Sequence, residues 1–75
     1  MEAIAVRSSF IKGAAYNENR QLLRLTIGDK WYYYYGVTKQ KMARFKKSPS
    51  KGEYFVNHIK GQYETIKRNI RTNQN

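Results

Sequence analysis

Gln21-Leu22-Leu23-Arg24-Leu25-Thr26-Ile27-Gly28-Asp29-Lys30-Trp31-Tyr32-Tyr33-Tyr34-Tyr35 is the stretch that decides the fold. Its first half alternates with the period of a strand: Leu23, Leu25 and Ile27 share one face, and Leu22, Arg24 and Thr26 share the other. Gly28-Asp29 reads as a two-residue hairpin turn, because glycine at the first central position suits type II′ geometry. Trp31 to Tyr35 follows as a second strand, built from aromatics that favour a pleated surface. Such a turn sets Lys30 opposite Ile27, Trp31 opposite Thr26, Tyr32 opposite Leu25, Tyr33 opposite Arg24 and Tyr34 opposite Leu23. Residues directly opposite share a face, so Tyr32 and Tyr34 join the leucines in the core, while Trp31, Tyr33 and Arg24 point away from it. A slip of one residue inverts that assignment.

Toward the N-terminus, Phe10 to Tyr16 supplies another strand, with Ala14 and Tyr16 on one side, and Asn17-Glu18-Asn19-Arg20 forms a polar turn. Ile4-Ala5-Val6 is a short extended piece at the edge. Together these segments predict a three-stranded antiparallel meander. Beyond Gly36-Val37 the period changes. Thr38 caps a basic helix running to about Lys47, whose apolar contacts are Val37, Met42 and Phe45. Pro49 stops it. Ser50, with Glu53 three residues on, opens a second helix in a capping-box pattern. Phe55 and Ile59 share a face of that helix, Gly61 ends it, and Tyr63 packs back onto the body. The expected fold is α+β: the meander packed against two short C-terminal helices. Residues 65–75, with Lys67, Arg68 and Arg71, form a basic, polar tail, read as a helical extension or as disordered.

The chain has 75 residues, with 15 lysines and arginines against five acids and a formal charge of +10. A chain this short buries roughly 60% of its unfolded surface, so one small domain with a thin core is expected. Charge is uneven. Residues 1–36 hold five bases and three acids, whereas residues 37–75 hold ten bases and two acids. Cysteine is absent and His58 is the single histidine, which excludes disulfides and thiolate metal sites and argues against a structural zinc. No apolar run approaches the ~20 residues that span a bilayer. The N-terminus lacks a signal-peptide pattern, so a cytoplasmic location without membrane attachment is expected.

In this order the elements resemble the KTSC domain family, a short module of bacterial and phage proteins that also occurs at the C-terminus of some lysyl-tRNA synthetases. The carriers are Val6-Arg7-Ser8-Ser9 with Ile11, Ala14-Ala15-Tyr16, the Leu23–Ile27 alternation, and Tyr32 and Tyr34 in a Tyr-x-Tyr pattern followed by Tyr35-Gly36-Val37. The most specific stretch is Ser50-Lys51-Gly52-Glu53-Tyr54-Phe55, continuing through Asn57-His58-Ile59 to Gly61 and Tyr63. The family often has proline where Thr38 stands, and the basic tail lies outside its pattern. The resemblance places a KTSC-like domain at 1–64 and a tail at 65–75. For function it implies only a module suspected of binding RNA.

A high positive potential beside aromatic rings favours nucleic acid, which offers phosphates to the charge and bases to the rings. Trp31 and Tyr33 beside Arg24 form a stacking platform, or else an apolar face for a second copy or a protein partner. Lys39, Lys41, Lys46 and Lys47, with Arg44, make a helix that is basic nearly all round. It either meets phosphates, without reading sequence, or is simply solvated. Ser50-Lys51-Gly52 is an anion cradle or a packing turn in which Gly52 permits close approach. His58 stacks on a base or fills a structural role, and Lys60 adds a further cation. No catalytic residue, metal ligand or cofactor site is expected, because the acids are scattered and no nucleophile–base pair stands out. The expected function is therefore a non-enzymatic nucleic-acid-binding module, for RNA or single strands. The alternatives are a protein-interaction module, such as a small phage-type inhibitor of a host protein, or an oligomeric binder of small anionic nucleotides.

Overall fold

The computed structural model describes residues 1–70. The elements are β1 (Glu2–Ile4), β2 (Ile11–Asn17), β3 (Leu22–Ile27), β4 (Lys30–Tyr35), α1 (Lys39–Lys47), α2 (Lys51–His58) and β5 (Glu64–Asn69). The strands form one antiparallel sheet in chain order, β1-β2-β3-β4-β5. The fold is α+β as expected, with five strands in place of three and with the helices inserted between β4 and β5.

The central hairpin has the register its turn dictates, from Ile27 opposite Lys30 to Leu23 opposite Tyr34 and Leu22 opposite Tyr35. Gly28 has a φ of 64° and Asp29 stays out of the left-handed region, as a type II′ turn requires. Both outer strands depart from expectation. β1 lies at 2–4 instead of 4–6, pairing Glu2 with Tyr16 and Ile4 with Ala14. The expected helical or disordered tail is in fact a strand through Asn69, pairing Glu64 with Tyr35 and Asn69 with Lys30. The physical reason is the edge of β4. With β3 on one side only, β4 would leave a row of backbone donors and acceptors unpaired, and β5 supplies their partners. All six β5 side chains are exposed, so backbone pairing places the strand, not an apolar face. The folded unit therefore runs past residue 64. Residues 71–75 of the expected tail lie outside the described residues.

One core holds the layers together. Ile4, Ile11, Tyr16, Leu23, Leu25 and Tyr34 project from one face of the sheet onto Val37, Met42, Phe45, Phe55 and Ile59. The rings of Tyr34 and Phe55 meet edge to face at 5.6 Å. Tyr16 donates its buried hydroxyl to the Val37 carbonyl, tying β2 to the β4–α1 connection. Thr38 caps α1 by accepting from the Lys41 N–H at 3.1 Å. Ser50 caps α2 by accepting from the Glu53 N–H at 3.3 Å. The return half of the capping box is supplied differently: the Ser50 N–H donates to Ser48 Oγ at 3.3 Å.

Candidate nucleic-acid interface

The helices cover the face bearing Leu23, Leu25 and Tyr34. Strand alternation puts every second residue on the other face, where no helix lies among the described residues. Three cross-strand rows build that face: Thr26, Trp31 and Arg68; Arg24, Tyr33 and Ile66; and Leu22, Tyr35 and Glu64. Trp31, Tyr33 and Tyr35 thus form an aromatic strip along β4. Trp31 and Tyr33 are half-buried, Tyr35 is 40% exposed, and Ile66 beside them is 38% exposed. Trp31 and Tyr33 meet edge to face at 6.5 Å. The Arg24 guanidinium lies 4.6 Å from the Trp31 ring centre, close enough for a cation–π contact.

The ten expected site residues do not form one surface. Arg24, Trp31 and Tyr33 share the helix-free face, whereas Lys39, Lys41, Lys46, Lys47, Lys51, His58 and Lys60 belong to the helical layer on the far side of the sheet. Sequence spacing gives a residue's face within an element, but not the side of the sheet on which a later helix lands.

The helical cations also have more acidic neighbours than the local sequence suggests. Lys39 lies 3.6 Å from Glu18, and Lys46 lies 3.9 Å from Glu2. Both acids arrive from sheet segments distant in sequence. These pairs are exposed, so each contributes about 0–1 kcal/mol and leaves most of the positive field intact. Lys51 donates to the Ser48 carbonyl at 3.4 Å. Gly52 is buried, and a Cβ there would stand 2.9 Å from the Phe10 ring and 3.1 Å from Ser8 Oγ, so the Ser50-Lys51-Gly52 turn serves close packing. His58 is exposed and packs against Tyr54 with ring centres 4.5 Å apart and the rings tilted by 39°.

Two kinds of site residue escaped the sequence reading. Tyr35 has the same parity as Trp31 and Tyr33, so the alternation itself was a sufficient signal. Ile66 and Arg68 join the face only because β5 pairs with β4. The core tyrosines are held protonated. Burial, with a smaller contribution from Tyr32, pushes Tyr34 up to about 12. Burial also raises Tyr16, assisted by Glu18 and Tyr63.

Comparison with known proteins finds a match to the KTSC domain over residues 7–63. The chain belongs to the KTSC domain family. The crystal structure of a KTSC domain protein from Yersinia pestis is similar to it with a TM-score of 0.77, at 28% identity over 92% of this chain and 96% of that one. No curated protein matches. The family match spans β2 to α2, so β1 and β5 of this KTSC domain, and Arg68 with them, fall outside it.

Proposed function

We propose that this KTSC domain is a small non-enzymatic module that binds single-stranded nucleic acid, RNA above all, on the helix-free face of its sheet. The observation that carries the reading is the Trp31–Tyr33–Tyr35 strip beside the Arg24 guanidinium, on a chain of net charge +10. Bases unstacked from a single strand present flat faces to such a strip, and each stacked base contributes ~1–3 kcal/mol. The guanidinium on Trp31 is planar and extends the stack while offering donors to phosphate. Arg68 stands opposite Trp31 on the neighbouring strand and adds a second cation to the same row. Duplex nucleic acid keeps its bases stacked inside and gives this face only its phosphates, so single strands are preferred.

Trp31 is the only tryptophan, so its emission reports on this face alone. Titration with single-stranded oligonucleotides at low salt is expected to quench that emission as bases stack. Trp31→Ala, followed by labelled-oligonucleotide anisotropy, is expected to weaken binding by about 1–3 kcal/mol per stacked base, about 5- to 150-fold, with little change in Tm. Binding that leaves Trp31 emission unchanged would move the site off this face. Absence of binding at low salt, with protein partners that survive nuclease treatment, would replace the reading with a protein-interaction module.

A further inference from the structure

The aromatic face leaves the basic helix α1 without a part in binding, although the two lie on opposite layers of the molecule. We propose that this KTSC domain has two nucleic-acid surfaces back to back and bridges two strands, an inference that rests on the single-strand reading above. The second surface is the outward side of α1. Met42 and Phe45 point into the core, and at 100° per residue the opposite side of the helix carries Gln40, Ala43, Arg44 and Lys47. Arg44 and Lys47 are exposed, and the carboxylates of Glu2 and Glu18 reach their neighbours Lys46 and Lys39 instead.

The two surfaces differ in chemistry. The sheet face offers rings and guanidinium groups, whereas α1 offers exposed cations without an aromatic ring on its outward side, so it grips phosphate without stacking bases. They are also electrostatically separate. The shortest principal extent of the molecule is 22 Å, against a Debye length of about 8 Å at physiological salt. Each surface therefore recruits its own polyanion, and a short oligonucleotide cannot serve both without passing round a sheet edge. The net charge of +10 opposes self-association, so the bridge is assigned to one molecule holding two strands.

The test uses oligonucleotides of about six nucleotides, inside the span of one small binding fold, at low salt. Wild-type protein is expected to saturate at two oligonucleotides per chain. An equimolar mixture of donor- and acceptor-labelled oligonucleotides is expected to show energy transfer that rises and then falls as protein goes into excess. R44Q/K47Q is expected to bind one oligonucleotide, quench Trp31 as before and lose the energy transfer. R24Q/R68Q, which keeps the aromatic rings in place, is expected to retain the α1 site, weaken the sheet-face site and lower the transfer without abolishing it. Saturation at one oligonucleotide with Trp31 quenching overturns bridging and leaves the single-strand reading standing. Energy transfer that persists in R44Q/K47Q overturns it in favour of protein self-association. Failure of wild-type protein to bind any oligonucleotide overturns both.

Discussion

Tyr16 and Tyr34 show how one side chain in this thin core serves two ends. Each buries a ring among aliphatic neighbours, and each must keep its phenol protonated to stay there. The Tyr16 hydroxyl has a fixed partner in the Val37 carbonyl. Tyr16→Phe keeps the ring but leaves that buried acceptor unsatisfied, at a cost of about 1–3 kcal/mol. Urea denaturation is expected to show a lower midpoint with an unchanged m-value. Tyr34 makes a prediction in pH. Burial, with a smaller contribution from Tyr32, pushes its pKa from the ordinary 10.0 up to about 12, so the folded state favours the protonated form. That contribution is fully present below pH 10, falls as pH rises toward 12, and amounts to at most about 3 kcal/mol. Tyr34→Phe has no proton to lose. Followed by circular dichroism between pH 9 and 12.5, its alkaline unfolding is expected at higher pH than that of the wild-type protein.

At the scale of elements, the first turn of α2 sets one physical effect against another. Helix propensity alone makes Gly52→Ala favourable by up to ~1 kcal/mol. A Cβ at 52 would approach Phe10 Cε1 to 2.9 Å and Ser8 Oγ to 3.1 Å, and overpacking of this kind costs about 1–3 kcal/mol. Overpacking wins, and calorimetry is expected to show a lower Tm for the variant. The contrast among strands shows what a sequence discloses. The β3–β4 hairpin was legible to the residue, because alternating leucines and a glycine turn each point to the same register. Both helices were legible from their caps and from the spacing of Met42, Phe45, Phe55 and Ile59. β5 was not, because its side chains stay in solvent and only the backbone of β4 calls for it. The same gap hid Arg68 and Ile66. The candidate site was legible as Arg24, Trp31 and Tyr33, which depend on local alternation. Its relation to the basic helix depends on long-range packing, which no local pattern encodes.

For the molecule as a whole, the proposed single-strand binding draws on charge and on aromatic surface in ways that salt can separate. Each neutralised phosphate lowers the salt exponent of single-strand binding by about 0.7, so engagement of ~4 phosphates predicts log affinity falling with log salt at a slope near −3. Trp31 carries no charge. Its replacement by alanine is expected to displace the line toward weaker binding at every salt concentration while leaving the slope intact. Arg24 and Arg68 would act in the opposite sense: on the proposed reading R24Q/R68Q removes two counterion-releasing contacts and is expected to make the slope shallower by about 1.4. Anisotropy titrations of one single-stranded oligonucleotide against the three proteins, across a salt series, check both. Parallel lines for Trp31→Ala together with a flattened line for R24Q/R68Q require stacking and phosphate contact on one face. A slope unchanged in R24Q/R68Q would take the phosphates away from Arg24 and Arg68 and turn attention to the helical cations.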